Sequence, residues 1–210
     1  MRGTPMIDTV RSDDVAAESR PLITGARRIL LLTAGAVLGM FGVAPVAAAD
    51  DAGPLYRLVD TSAQRLLTAD PVAESKWVNG GSIEDEARAN QVLDTTGADA
   101  RNLGLDETFV RRAFENQIHA TEGVEYTLFG QWKFDPAHTP KSAPDLNEIR
   151  TAIDGFNRAM VTEMAEQRDV LFGGGCRAAL DAARTSVASD RALDPLYRHA
   201  LDFATSSYCV

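Results

Sequence analysis

Apolar residues recur at helical spacing along most of residues 55–207, and no other feature limits the possible folds of this chain so strongly. Leu55, Leu58, Val59, Ser62 and Leu66, for example, fall on one face of a first helix. Signals for β-strands are nearly absent, because the chain has no alternating run of Val, Ile and Thr. The sequence therefore predicts an all-α fold, a single-domain bundle of about six helices.

Aspartate and serine residues mark the predicted helix starts, because their side-chain oxygens can accept hydrogen bonds from free backbone amides. Two of them precede a proline, which is favoured in the first helical turn. The predicted caps are Asp70, Ser82 together with Asp85, Asp106, Asp145 and Asp194.

Glycine and proline residues mark the predicted boundaries between helices. Residues 79–82 read Asn-Gly-Gly-Ser and predict a turn, and residues 135–144 contain three prolines and predict a loop. We expect helices over about 84–103, 106–132, 176–189 and 193–207. The helix that Asp145 caps carries a near-heptad apolar stripe made of Leu146, Ile149, Ile153, Phe156, Met160 and Met164.

Residues 1–49 have the pattern of a secretory signal peptide. Two arginines at 27–28 precede an apolar run over residues 29–46, and three alanines at 47–49 follow it. The run is close to the length of a single membrane anchor, but the glycines and the proline within it favour cleavage after the alanines. We therefore expect an exported protein, periplasmic or secreted, whose mature domain is residues 50–210 and which does not bind membranes after cleavage.

The predicted mature domain is acidic. Residues 1–49 hold five of the 21 Lys+Arg and four of the 30 Asp+Glu, which leaves 16 against 26 and a formal charge of −10 for residues 50–210. Such a charge disfavours nucleic acids and anionic membranes as partners. Any site for an anion must therefore be a local basic pocket inside an acidic protein.

The chain has two cysteines, Cys176 and Cys209. A single pair of cysteines in an exported chain predicts one disulfide, which would stabilise the fold by about 3.5 kcal/mol through its effect on chain entropy. A metal-binding or catalytic pair is the alternative, but no histidine lies at ligand spacing to either cysteine. We expect no metal site.

The predicted helix over 106–132 carries a stripe that is apolar at its ends and polar in its middle. Its members, within an arc of about 80° at 100° per residue, are Val110, Phe114, Gln117, Thr121, Glu125 and Leu128. Polar groups on a buried stripe cost free energy unless partners satisfy them. The stripe therefore indicates either a structural hydrogen-bond network or a binding site.

Three cations lie at the edges of apolar stripes on other predicted helices: Arg65, Arg88 and Arg150. A fourth, Lys76, precedes Trp77 in the short predicted helix after Asp70-Pro71. Each one taken alone is most simply a solvated charge on a helix face. If all four converged on the polar stripe, they would instead form a pocket for a small dianion.

Several segments resemble the exported chorismate mutases of the helical (gamma) class. They are Asp-Pro-Val-Ala-x-x-Lys-Trp (70–77), Ile-Glu-Asp-x-x-Arg (83–88), Asn-Gln-Ile-x-Ala-Thr-Glu-x-x-Glu-Tyr (116–126), Pro-Asp-Leu-x-x-x-Arg (144–150), Leu-Asp-x-Leu-Tyr (193–197) and Ser-Tyr-Cys (207–209). The resemblance runs in order through almost the whole predicted mature chain. It implies an isomerase that rearranges chorismate to prephenate, without a cofactor and as a homodimer.

The resemblance also implies roles for individual residues. Arg65, Arg88 and Arg150 would bind the two substrate carboxylates, with Arg150 taking the place of an arginine that comes from the partner chain in smaller intracellular relatives. Thr121 would add a hydroxyl hydrogen bond to one carboxylate. Asp85, or its backbone, would contact the ring hydroxyl.

Lys76 and Glu125 would lie on either side of the ether oxygen of the C–O bond that breaks. The reaction has one substrate and needs that substrate held in its reactive shape, with a positive charge or donor at the oxygen that gains negative charge. We therefore interpret Lys76, Glu125 and Arg88 as catalytic. Glu125 would act as a neutral donor, its pKa raised by burial.

One position departs from the pattern, because exported relatives carry Gln where this chain has Val92, with Asn90 and Gln91 beside it. A side-chain contact with substrate is not predicted at that corner. The alternative function is that of a secreted helical interaction protein that kept the scaffold and lost catalysis; a carrier of another small dianion is a third.

Overall fold

The structure, a computed structural model, describes residues 53–210. The predicted signal peptide lies outside the described residues. Within them the chain forms α-helices and one short 3₁₀ turn, Pro136–His138, and no strand, so the predicted all-α class is confirmed. The helices are α1 (Tyr56–Leu66), α2 (Ala69–Asn79), α3 (Glu86–Asn102), α4 (Glu107–Phe134), α5 (Leu146–Glu166), the single-turn α6 (Arg168–Leu171), α7 (Cys176–Asp190) and α8 (Pro195–Ala204).

Helix α1 lies at the centre of the bundle and packs against α4, α5, α7 and α8. Its predicted apolar face is fully buried, with Leu58, Val59 and Leu66 at 0–1 % exposure. Burial of a side chain of this size stabilises a fold by about 1.5–3 kcal/mol. The face therefore anchors α1, and with it Arg65 in its last turn.

The apolar stripe of α5 changes character along the helix. Met160 and Met164, in its second half, are fully buried in the core. Leu146 and Ile153, in its first half, are only partly buried because they line a pocket between the helices. One end of α5 therefore holds the bundle together while the other contributes to a cavity.

Three predicted helix caps are confirmed, those of α4, α5 and α8. Asp106 accepts a hydrogen bond from the amide of Phe109 (2.7 Å), and Asp145 accepts one from the amide of Asn147 (2.8 Å). Asp194 accepts one from the amide of Tyr197 (2.8 Å), with a proline in the first turn behind it. Each carboxylate satisfies an amide that has no partner within its own helix.

The predicted cap at Asp70 is wrong. Helix α2 begins at Ala69, two residues before the predicted first residue Pro71, and no side chain caps it. The Asp70 carboxylate accepts a hydrogen bond from the Tyr197 hydroxyl instead (2.6 Å). Pro71 fits inside the first turn because its missing N–H would have no helical partner there.

The cap of α3 also differs from the prediction. Asp85, and not Ser82, precedes the helix, and its carboxylate accepts a hydrogen bond from the amide of Arg88 (3.1 Å). The predicted turn before it is present, since Gly80 ends α2 with a φ of 74°, a conformation that favours glycine. The α2–α3 connection therefore brings Asp85 and Arg88 close to the end of α2.

The predicted disulfide is confirmed between Cys176 and Cys209, whose Cα atoms are 5.6 Å apart. It joins the first residue of α7 to the chain that follows α8. The bond therefore fixes the C-terminal segment, including the fully buried Tyr208, against the core.

Candidate active site

The predicted site residues line one pocket between α1, α2, α3, α4 and α5, with a volume of about 610 Å³ including its open mouth. All seven predicted substrate-binding residues contribute to it: Arg65, Lys76, Asp85, Arg88, Thr121, Glu125 and Arg150. The remaining lining residues are Thr68, Val72, Ile83, Ala89, Val92, Ile118, Glu122, Leu146 and Ile153. The four cations thus converge on the polar stripe of α4, as the binding-site interpretation requires.

Arg65 is a buried cation, 5 % exposed, whose hydrogen-bond partners are all neutral. Its Nε donates to Asn157 Oδ1 (2.7 Å), and its Nη1 lies 3.3 Å from Thr121 Oγ1 and 3.4 Å from the Gln117 carbonyl. Burial lowers the pKa of Arg65 to about 10, so the group stays charged at neutral pH. Within residues 53–210 no carboxylate forms an ion pair with it, which leaves its charge for an anionic ligand.

The polar stripe of α4 divides into a structural part and a pocket part. Gln117 is fully buried and its amide exchanges two hydrogen bonds with Ser62 of α1 (2.7 and 3.1 Å). Thr121 and Glu125, one and two turns further on, line the pocket. The stripe therefore contributes both to a structural hydrogen-bond network and to the lining of the pocket.

Lys76 and Glu125 form a buried ion pair at one end of the pocket. Lys76 Nζ lies 2.8 Å from Glu125 Oε2 and also donates to the carbonyl oxygen of Ile83 (2.6 Å). Their side chains are 10 % and 3 % exposed. Burial raises the pKa of Glu125, and the hydrogen bond and charge of Lys76 oppose that rise.

Arg88 and Arg150 lie nearer the mouth and each contacts a carboxylate. Arg88 Nη2 lies 2.6 Å from Asp154 Oδ1, and Arg150 Nη2 lies 2.7 Å from Asp85 Oδ2. Their side chains are 17 % and 33 % exposed, so solvent screens these pairs more than it screens the Lys76 pair. Both guanidinium groups retain donors for a ligand.

Val92 forms part of the pocket wall and is 4 % exposed. Gln91 lies on the far side of Arg88, where its Oε1 accepts a hydrogen bond from Arg88 Nη1 (2.9 Å). Neither Asn90 nor Gln91 lines the pocket, so neither adds a polar side chain to the pocket beside Val92. Val92 and Val72 are both apolar members of the pocket lining.

Four polar residues at the site were not predicted from the sequence. One is Thr68, which lines the pocket and whose hydroxyl donates to the carbonyl oxygen of Arg65 (2.7 Å). Glu122 lines the pocket beside Thr121, and burial raises its pKa. Asp154 accepts a hydrogen bond from Arg88, and Asn157 accepts one from Arg65. These two follow Arg150 by four and seven residues, a spacing that places them on the same face of α5 as Arg150 and that the sequence contains.

Across residues 53–210 no group of three or more His, Cys, Asp or Glu side chains is arranged to hold a metal ion. Over the same residues no helix is both long and apolar enough to cross a bilayer.

Two sequence comparisons identify relatives of this chain. The family model for chorismate mutase type II matches residues 56–126. A secreted chorismate mutase of Mycolicibacterium smegmatis is 52 % identical over 180 residues, which cover 85 % of this chain and 99 % of the relative. One of Mycobacterium tuberculosis is 42 % identical over 193 residues, 90 % of this chain and 97 % of the relative. Both relatives are named as secreted, in agreement with the predicted export.

Solved structures agree with the sequence comparisons. The crystal structure of chorismate mutase from Burkholderia phymatum superposes with a TM-score of 0.70 at 30 % identity, covering 75 % of this chain and 96 % of that one. That from Burkholderia thailandensis gives a TM-score of 0.68 at 26 % identity, covering 74 % and 99 %. With a relative 52 % identical over nearly its full length, the chain belongs to the family of secreted chorismate mutases.

Proposed function

We propose that this protein is a chorismate mutase, which rearranges chorismate to prephenate in a pocket formed by one chain. The observation that carries the proposal is the convergence of Arg65, Lys76, Arg88 and Arg150 around Thr121 and Glu125. Such an arrangement suits a small dianion, and chorismate is a dicarboxylate. Family membership supports the reaction, and the geometry of the pocket supports a role for each of these side chains.

Arg65 is the primary carboxylate-binding residue in this proposal. Its charge is buried and its partners are neutral, so an incoming carboxylate gains a strong charge-assisted hydrogen bond in a site of low dielectric constant. Thr121, 3.3 Å from Arg65 Nη1, lies where its hydroxyl can bond the same carboxylate.

Arg88 and Arg150 bind the second carboxylate near the mouth. Each exchanges part of its contact with Asp154 or Asp85 for the substrate, and each offers the planar fork that matches a carboxylate. Asp85 lies beside both arginines and can accept a hydrogen bond from the ring hydroxyl of the substrate.

Lys76 and Glu125 stabilise the ether oxygen as its bond to carbon breaks. Lys76 has three donor hydrogens, of which the structure uses two, and the third can reach an oxygen in the pocket. Glu125 contributes when protonated, because a neutral carboxyl donates a hydrogen bond where a carboxylate would repel developing negative charge.

The apolar walls restrain the substrate. Val72, Ile83, Val92, Ile118 and Ile153 line the pocket between the charged groups. A pericyclic step needs no nucleophile, so holding the ring and the side chain in contact is itself a large part of the catalysis. When both of its carboxylates are bound, the substrate is held in a compact conformation against these walls.

The test is an assay of purified protein with chorismate, followed by loss of its ultraviolet absorbance and by detection of prephenate. We expect turnover by the wild type and a large loss in an Arg65→Ala variant. Arg177→Ala, which removes an exposed arginine on α7 remote from the pocket, is the control and should match the wild type. Binding without turnover would identify a carrier, and neither binding nor turnover an interaction protein.

We also propose that residues 1–49 are a cleaved signal peptide and that the mature protein is a homodimer. The signal peptide is supported by two arginines, an apolar run and three alanines, which follow one another in that order. The homodimer is supported by the family resemblance, which implies one. Mass spectrometry of the exported protein should give a chain that starts at Asp50, and sedimentation should give twice the mass of that chain.

A further inference from the structure

Helix α5 holds three groups of the pocket with one face. Arg150, Asp154 and Asn157 follow one another at spacings of four and three residues, which aligns their side chains. Arg150 contacts Asp85, Asp154 contacts Arg88, and Asn157 contacts Arg65. A single helix face thus fixes side chains that come from α1 and from the start of α3.

Asn157 is the buried member of this face, 4 % exposed. Its Oδ1 accepts the Nε hydrogen of Arg65 (2.7 Å), and its Nδ2 lies 3.5 Å from Asp154 Oδ1. Arginine can only donate and a carboxylate can only accept, so the two neighbours allow one orientation of the amide. The same Asp154 oxygen accepts from Arg88 (2.6 Å), so the two arginines are joined through two α5 side chains.

The two arginines differ in the charge of what holds them. Arg88 is held by a carboxylate, which offsets its positive charge, while Arg65 is held by a neutral amide, which does not. Asn157 engages Nε, and Nη1 lies within reach of Thr121 Oγ1 and the Gln117 carbonyl, so among residues 53–210 only Nη2 has no hydrogen-bond partner and is left for the pocket. A carboxylate at position 157 would hold the guanidinium equally well and would cancel the charge that the substrate needs.

We infer that Asn157 is a positioning residue for substrate binding: its uncharged acceptor orients the guanidinium of Arg65 and leaves its full charge to a substrate carboxylate. The inference rests on the proposed function, in which Arg65 binds that carboxylate. An amide and an acid at position 157 have the same shape, and both can accept the hydrogen bond from Arg65. They should nevertheless have opposite effects on affinity for the substrate.

The first experiment is Asn157→Asp in the full mature protein. The variant keeps an acceptor for Arg65 Nε but adds a negative charge beside it, so KM for chorismate should rise about 10- to 100-fold, the effect of a charged hydrogen bond. The value of kcat should change far less, since the reacting oxygen is held by other residues. Asn102→Asp, an exposed change at the C-terminal end of α3, is the control and should leave KM unaltered.

A charge swap guards against misfolding, because the carboxylate introduced by Asn157→Asp and the carboxylate of Asp154 would repel each other. In the double variant Asn157→Asp with Asp154→Asn, the total charge and the number of donors and acceptors are unchanged, and the negative charge only moves from Arg88 to Arg65. The double variant should melt near the wild-type temperature and still show the raised KM. Asp154→Asn alone, which changes the surroundings of Arg88 in the same way, is the reference for the swap; a KM no higher in the swap variant than in Asp154→Asn would overturn the inference, because a carboxylate at position 157 would then have no effect on Arg65.

A third readout does not depend on turnover. In the wild type the Arg65 Nε hydrogen should give a slowly exchanging NMR signal, which Asn157→Leu should abolish. If the wild type lacked mutase activity, the proposed function would be wrong. The NMR signal would still show whether Asn157 accepts a hydrogen bond from Arg65 Nε. If the signal survived in Asn157→Leu, the positioning role would fail even in an active enzyme.

Discussion

Glu125 is a carboxyl group buried at 2 % exposure beside one cation, Lys76. Burial raises its pKa, so its protonated form persists to higher pH than in water and is lost as the pH rises through the raised pKa. If the protonated form is the catalytic one, activity should fall on the alkaline side of this pKa.

A Glu125→Gln variant should therefore retain activity and flatten the alkaline fall, because the amide donates a hydrogen bond and does not titrate in this range. The measurement is kcat/KM for chorismate against pH for both proteins. A variant that is inactive at every pH would contradict the role as a neutral donor.

Arg88 uses two nitrogens at once, with Asp154 on one and Gln91 on the other. Arg88→Lys keeps the charge but loses the planar fork, so we expect kcat/KM to fall by orders of magnitude. Arg177→Lys, an exposed change on α7, is the matched control. Near-normal kinetics in Arg88→Lys would remove this residue from carboxylate binding.

The arginines of the pocket each lie beside an apolar stripe that indicates which way the helix faces, but their convergence on one site was implied only by the resemblance to a known family. Arg65 follows the buried face of α1, and Arg150 lies within the stripe of α5. Asn157 could not be predicted in the same way, because an asparagine on a helix gives no sign of burial until its partner is known. The same holds for Asp154, which resembles any solvated acid.

At the scale of helices, the start of α3 joins stability to the site. Asp85 caps the helix through Oδ1 and contacts Arg150 through Oδ2 (2.7 Å), so one carboxylate serves both functions. Asp85→Ala removes both contacts and should lower the free energy of unfolding by about 1 kcal/mol, mainly through the lost cap.

Asp85→Asn separates the two functions, because asparagine caps helices as well as aspartate does. It should lose only the partly exposed ion pair, which contributes about 0–1 kcal/mol. Urea unfolding of both variants is the measurement. Equal destabilisation by Ala and Asn would show that the cap contributes nothing.

Helix boundaries were predictable where a capping residue has no stronger partner elsewhere. Asp106, Asp145 and Asp194 cap as expected. Asp70 does not, because Tyr197, 127 residues later, donates its hydroxyl hydrogen to it. Contacts between distant residues can override a local preference, and a sequence pattern contains no sign of them.

At the scale of the whole molecule, the Cys176–Cys209 bond closes a loop across a sequence separation of 33 residues. Replacing both cysteines by serine should lower the free energy of unfolding by about 2–5 kcal/mol, because the unfolded chain regains the conformations that the bond excludes. Urea unfolding with and without reductant measures this, and reduced wild type should match the variant. No change would mean that α7 and α8 are held by packing alone.

All seven predicted binding residues of the pocket come from one chain, which matters for an enzyme that is exported. Outside the cell a protein becomes dilute, and subunits separate when their concentration falls below the dissociation constant of the assembly. An active site shared between chains would then lose a side chain with every separation. A subunit separated by dilution would keep all seven residues of the proposed site.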